Sequence, residues 1–302
     1  MAAPLDRPEV ATLLAATPYA DVAVDTRSGP HVTPAAFAAA GGRLWVVSSR
    51  RTLRVRSVRR RHAASVLMRH GDRALVVSGS ADVLSLWPPS ETAGLVVNSL
   101  PVLRAATSYA VRNAGLLLNG FLRDFLAGSG DPTVYDRVLV AVEPERGLLL
   151  DGDERVDGWG RWSRVRPAKL LRAGPEDVPL LDDLFAELPH PVLGALDHPE
   201  TASLGWTTPT GPVVLPAVPN GVAGRVHVSS AALAAVGAPD TAPACLTFHE
   251  SGGVRPSSFR GVILRGEGEV VRHGAQRSTV EVRADRVSWW SGFRSGTARA
   301  AA

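Results

Sequence analysis

Between Ser48 and Arg61 the chain reads Ser-Ser-Arg-Arg-Thr-Leu-Arg-Val-Arg-Ser-Val-Arg-Arg-Arg, with seven arginines in the twelve residues from Arg50 to Arg61. The segment follows an apolar strand-like run and opens a helix, and backbone N–H groups at such a junction point outward and favour an anion. Hydroxyls of Ser48, Ser49 and Thr52, with the guanidinium groups of Arg54 and Arg56, would cradle a phosphate through charge-assisted hydrogen bonds. The competing reading is a solvated basic helix face. Arginine abundance alone does not decide between them, because 32 of the 33 basic residues are arginine and Lys169 is the single lysine. The net charge of +4 is modest and does not by itself imply nucleic acid.

Other groups capable of chemistry are scattered. The eight histidines include no H-E-x-x-H or other close ligand pair, so no metal site is expected. His31 lies in a strand-like run, where it would be an ordinary strand histidine, a polar contact or a haem ligand. Asp151-Gly-Asp153-Glu154 has the composition of an acidic turn without the spacing of a calcium loop. No P-loop, no helix-opening G-x-G-x-x-G and no G-x-S-x-G elbow occurs, which removes nucleotide-hydrolase, Rossmann and α/β-hydrolase readings. Cys245, the one cysteine, excludes an internal disulfide and reads as an inert core thiol. Trp159 and Trp162 read as covers of a barrel end. No apolar run approaches the roughly 18–20 residues of a membrane span, and the first residues carry mixed charge, so a cytoplasmic protein with no nucleic-acid or membrane partner is expected.

The elements that must position these residues occur twice. Gly29–Pro34 returns as Gly211–Pro216, an offset of 211 − 29 = 182, and Arg43–Ser49 returns as Arg225–Ser230. Gly79–Val83 matches Gly266–Val270, and Val138–Val142 matches the run around Thr279–Val282, each followed by an acidic–Arg pair at Glu145-Arg146 and Asp285-Arg286. Four matches in the same order mean two copies of a domain, since the repeat is too long for a solenoid. The first reads as strands over Ala20–Asp25, His31–Phe37, Arg43–Ser48, Ala63–Arg69 and Ala74–Ser85. The second gives Ala202–Thr207, Pro212–Ala217, Gly224–Ser229, Ala244–His249 and Gly261–Arg272. Short strands with such turns specify a small antiparallel barrel. Between about 90 and 127 the apolar spacing becomes helical, a helical insertion in copy one, and Glu176–Leu188 reads as a helix linking the copies. The domains expected are 1–160, a linker over 161–197, and 198–302.

The run from Gly29-Pro-His-Val-Thr-Pro34, through the strand ending at Ser48, to Thr52-Leu-Arg54-Val-Arg56, Ala63–Leu67 and Ser78-Gly-Ser-Ala81 resembles the pyridoxamine 5′-phosphate oxidase-like family. The resemblance covers residues 17–85 well and 135–160 loosely. It implies a mainly β fold of two tandem split β-barrels forming an intrachain pseudo-dimer. It also implies an oxidoreductase with FMN or the deazaflavin F420 as cofactor and a small organic molecule as substrate, haem being a lesser alternative. Ser48, Ser49, Thr52 and Arg54 would bind the cofactor phosphate, with Arg54 in place of the family's usual lysine and Arg56 beside it. The backbone of His31, Val32, Thr33 and Pro34 would pass beside the ring. Trp290 and Arg294 resemble the family's late aromatic-then-Arg element, which reaches the cofactor from the partner side. Copy two has Ala231-Ala-Leu-Ala-Ala-Val-Gly237 in place of the Thr52–Arg56 segment, so one competent site per chain is expected, on a monomeric pseudo-dimer or a homodimer. No acid–base catalyst is named by the sequence. A cofactor-binding or regulatory protein without turnover is the reading from a different class.

Overall fold

The computed structural model describes residues 4–85, 104–114, 137–162, 188–190, 192–193, 201–220, 224–250, 259–292 and 294–299. After helix α1 (Pro8–Ala16), the first copy runs β1 (Tyr19–Thr26), β2 (Gly29–Ala40), β3 (Arg43–Ser49), helix α2 (Leu53–Arg61), β4 (Ala63–His70) and β5 (Arg73–Ser85). A helical segment over 104–112, α3, follows, then β6 (Arg137–Val142), β7 (Arg146–Asp151) and β8 (Glu154–Trp159). The second copy runs β9 (Thr201–Thr208), β10 (Gly211–Pro219), β11 (Arg225–Ser229), helix α4 (Ser230–Val236), β12 (Thr241–Glu250), β13 (Arg260–Arg272), β14 (Arg277–Ser291) and β15 (Arg294–Arg299).

Both copies close into six-stranded barrels with the same topology. The first has the order β4-β1-β2-β3-β6-β5, closed by β4–β5 pairing; the second has β12-β9-β10-β11-β14-β13, closed by β12–β13 pairing. Closure leaves neither barrel with a free edge of its own. In copy one β7 and β8 extend outward from β5, and in copy two the second half of β14, with β15, does the same. Where the long strand changes partner, each barrel carries a glycine, Gly79 or Gly266. A Cβ there would lie 1.8 Å from the carbonyl oxygen of Glu143 or Arg283. Only glycine permits that approach.

The strands anticipated in both copies are present, and so is the tandem of split β-barrels. The helical insertion is described only in part: α3 lies within it, with Ala105 and Tyr109 buried and Arg112 stacked 4.4 Å from the Phe37 ring centroid. Leu95, Leu103, Leu117, Leu118, Phe121, Leu122 and Phe125 lie outside the described residues, as does the anticipated linking helix apart from Leu188. Among the described residues no helix is long and apolar enough to cross a membrane. Trp159 packs against the first core and Trp162 against the second. Cys245 is fully buried, and burial pushes its thiol up to about 11.

The barrels share a seam in which β2 and β4 of one face β10 and β12 of the other. Ala23, Val32 and Leu67 of copy one belong to the same apolar cluster as Leu204, Leu215 and Leu246 of copy two. Within this seam lies a buried carboxylate. Asp21, 3% exposed, takes Arg69 Nη2 at 2.7 Å, His249 Nε2 at 2.8 Å and the hydroxyl of Ser203. Strand pairing makes Ser203 the counterpart of Asp21, and His249 the counterpart of Arg69. Burial alone would raise the Asp21 pKa, but the facing His249 and Arg69, with the hydrogen bonds from His249 and Ser203, hold it well below its unperturbed 3.8.

Removing one member of such a buried network strands the others without a counter-charge. Asp21→Asn is therefore expected to lose about 3 kcal/mol of unfolding free energy near pH 7 by denaturant titration. Because the folded pKa is depressed, the carboxylate's contribution is fully present above 3.8 and is lost as the pH falls from there towards the folded value. The difference between wild type and Asp21→Asn should thus narrow only below about pH 4.

Candidate functional site

A cleft of about 1090 Å³ opens on the seam. One wall comes from β2, the end of β3 and the start of α2; the other comes from β13, β14 and β15 of copy two. Among the described residues six arginines line it, namely Arg54, Arg56, Arg137, Arg265, Arg286 and Arg299, and no aspartate or glutamate does.

The copy-one wall is built by helix initiation. Thr52 is the N-cap of α2, its Oγ1 accepting from Val55 N at 3.3 Å. The same hydroxyl donates to the Ser49 carbonyl at 2.8 Å, which uses its single hydrogen. Ser48 Oγ, 3.0 Å from Thr52 Oγ1, is therefore the donor in that pair. Ser48, Ser49, Thr52, Arg56 and Arg137 thus gather at the mouth of α2, Ser49 standing opposite Arg137 across the β3–β6 pair.

Arg54 lies differently from Arg56. Its side chain is 7% exposed, and Nη2 donates to the Thr33 hydroxyl, the Thr33 carbonyl at 3.1 Å and the Pro34 carbonyl at 3.2 Å. Burial pulls its pKa down to about 10, so it stays charged at neutral pH. Arg54 ties α2 to β2 and keeps one buried donor, Nε, without a protein partner. Arg56 is exposed.

His31, Thr33, Pro34, Ser48, Ser49, Thr52, Arg54, Arg56 and Trp290 all line the cleft. Val32 does not: strand alternation turns its side chain into the apolar cluster of the seam. Arg294 does not either. It sits exposed beside the β14–β15 turn, paired with Ser291, while the strand carries Arg299 back to the cleft at the other end of the same hairpin. The sequence reading missed Arg137 and the whole cationic row of Arg265, Arg286 and Arg299. The available signal was Arg265 interrupting the apolar run Val262-Ile263-Leu264.

The counterpart location in copy two is filled by the chain itself. Ser229 caps α4 and donates to the Asp153 carbonyl at 2.5 Å, and Arg277, the counterpart of Arg137, reaches the Asp153 carboxylate at 2.5 Å. Strand pairing puts Val228 where copy one has Ser48. Counting from the helix caps puts Ala231 and Leu233 where copy one has Arg54 and Arg56. Among the described residues no cluster of His, Cys, Asp or Glu could hold a metal ion.

No family model matches the chain, and no curated protein matches it. Solved structures similar to it include a pyridoxamine 5′-phosphate oxidase-related, FMN-binding protein from Nostoc punctiforme. That match has 14% identity and a TM-score of 0.35, covering 50% of this chain and 85% of that one. A FAD-binding protein from Mesorhizobium loti is 16% identical with a TM-score of 0.34, covering 47% and 91%. A protein described as an F420 reductase is 20% identical with a TM-score of 0.29, covering 45% and 93%.

The two arginines of α2 should separate in a stability measurement. Arg54→Ala leaves two β2 carbonyls without their donor and is expected to cost about 1–3 kcal/mol in chemical denaturation. Arg56→Ala, at an exposed position, should stay within about 0.5 kcal/mol of wild type.

Proposed function

We propose that the chain is an oxidoreductase that holds FMN or F420 in the seam cleft and acts on a small organic substrate, as the resemblance of residues 17–85 to the pyridoxamine 5′-phosphate oxidase-like family implies. The observation that carries this reading is the niche at the mouth of α2. There hydroxyls of Ser48 and Thr52 and the cations Arg56 and Arg137 converge in a cleft whose described lining holds no carboxylate. A solvated basic helix would need no such hydroxyl set and no second wall.

The residues present fit a phosphorylated, flat cofactor. A cleft of about 1090 Å³ accommodates a molecule of that size. Arg56 and the N–H groups of the first turn of α2 would hold the phosphate, with Ser48 and Thr52 turning to it the hydroxyls that otherwise donate to Thr52 and the Ser49 carbonyl. The Thr33–Pro34 stretch of β2 on one wall and Trp289 and Trp290 on the other would flank the ring. Arg54 supports this geometry from beneath by fixing the Thr33 and Pro34 carbonyls. When bound, the cofactor supplies the hydride chemistry, and the protein supplies orientation, electrostatics and exclusion of water.

Haem fits less well. A ligating histidine normally donates its second ring N–H to an acceptor, which raises its basicity. His31 Nδ1 instead faces Arg265 Nη2 at 2.6 Å, and burial with the neighbouring Arg265 and Arg54 pushes its pKa down to about 3.

Purified protein is expected to carry, or to take up on titration, one flavin or deazaflavin per chain. Absorption near 450 nm would mark flavin and near 420 nm F420, whereas a Soret band would mark haem. Arg56→Ala should weaken cofactor binding by about 1.5–3 kcal/mol with the fold intact, a cleaner probe than Arg54→Ala. Wild-type protein that binds neither FMN nor F420 would remove the reading. Tight binding with no turnover of any reducible substrate would favour a cofactor-binding protein instead.

A further inference from the structure

The cleft wall contributed by copy two carries more positive charge than the niche at α2 needs. Arg265 and Arg286 stand directly opposite one another across β13 and β14, and Arg286 stands opposite Arg299 across β14 and β15. Like charges facing one another across a sheet repel, yet no described carboxylate lies within ion-pairing distance of Arg265, Arg286 or Arg299. The row runs from Arg299, which is exposed, to Arg265, which is 4% exposed. Arg265 has a buried Nε with no partner, and its other hydrogen bonds go to neutral acceptors, His31 Nδ1 at 2.6 Å and Ser28 Oγ at 3.4 Å.

The internal repeat separates scaffold from excess. Arg286 has a counterpart in Arg146. Each reaches across the seam to the β1–β2 turn or its copy-two equivalent, Arg286 to Ser28 and Arg146 to Thr210, and each leaves its Nε unpaired. That arginine belongs to the fold. Arg265 and Arg299 have no such mates, for the positions in register with them are Ser78 and Gly160. His31 is likewise matched by Val213. The row Arg265–Arg286–Arg299 with His31 therefore stands against Ser78–Arg146–Gly160 with Val213. Residues from both barrels thus differ from their counterparts on the cleft side.

We propose that this arginine row, closed at its buried end by His31, is an anion-recognition subsite that takes the carboxylate of a flat organic substrate. Arginine only donates, so His31 Nδ1 accepts and the ring proton sits on Nε2, a second donor with no described acceptor. Arg265 Nε and His31 Nε2, on side chains in contact at the buried end of the row, are two donors that match a planar two-oxygen group through charge-assisted bonds. Ile263 and Trp289 provide apolar surface beside them. Pro34 is the β2 residue tied to α2 through Arg54, and His31 lies three residues along β2 from it, about 10 Å at the rise of a strand, so the subsite is set apart from the phosphate niche. Assigning the ligand as substrate rests on the cofactor reading; the anion site does not.

The full-length protein is titrated with benzoate and with the neutral isostere benzamide, followed by tryptophan fluorescence, and separately with FMN and F420. Two variants are used, Arg265→Gln and the double substitution His31→Val with Arg265→Ser. The double substitution installs the residue pair that the same chain already carries at Val213 and Ser78, which guards against simple misfolding. Wild type is expected to bind benzoate at least about tenfold more tightly than benzamide, and both variants to lose at least about tenfold in benzoate affinity with cofactor affinity unchanged. Equal binding of benzoate and benzamide, or undiminished benzoate binding by the variants, would overturn the proposal. So would a parallel loss of cofactor, which would assign the row to the cofactor itself. Selective benzoate binding in a protein that takes up neither cofactor would uphold the anion site and remove the cofactor reading.

Discussion

The cleft exists because two barrels stay fixed against each other, and that depends on how one buried carboxylate is satisfied. In a seam with exact twofold symmetry, Asp21 would meet a second aspartate, and two buried carboxylates in contact cannot both remain charged. Here the opposing position is Ser203, which donates a hydroxyl. Arg69 approaches from Asp21's own barrel and His249 from the other. The charge is buried but surrounded by donors from both copies, so it specifies how the barrels dock. Around it the seam is close-packed: a Cβ on Gly205 would lie 2.7 Å from both Val32 and Cys245.

Duplication also provides an internal control on every residue in the site. Where both copies keep a feature, it serves the barrel: the glycine at the partner switch, the arginine that crosses to the opposite turn, the hydroxyl that caps the short helix. Beyond the Asp21 network, copy differences mark the cleft. Copy one keeps Ser48 and adds the Arg50-Arg51-Thr52 step before its helix; copy two begins its helix directly after β11 and lets Asp153 answer Arg277. An acidic turn that resembled a failed calcium loop in the sequence is thus the group that neutralises a vestigial cation.

Much of this was legible in the sequence because barrels of short strands advertise themselves. β-branched runs ending in Gly- and Pro-bearing turns gave both sets of strands, and the 182-residue offset gave the tandem. The α2 wall was legible too, since Ser48, Thr52, Arg54 and Arg56 fall within nine residues and a helix start has a local signature. The opposite wall was not. Arg265, Arg286 and Arg299 become neighbours only through two hairpin registers, one of them carrying a bulge after Arg265. For the same reason Arg54 read as a ligand: nothing local reveals that its guanidinium is directed at the carbonyls of a strand twenty residues earlier. The Asp21 network lay beyond reach, since it joins four residues from four strands.

The extension of each barrel towards the other has a kinetic side. A cleft whose two walls belong to separate subunits assembles bimolecularly, and its population falls on dilution. In this chain both walls share one backbone, so their encounter is intramolecular and governed by an effective concentration that does not vary with protein level. Covalent joining also releases a constraint on inheritance. A substitution in a homodimer appears on both sides of the axis at once, whereas here His31 can change without Val213, and Arg265 without Ser78. The two faces of the cleft are free to diverge one residue at a time.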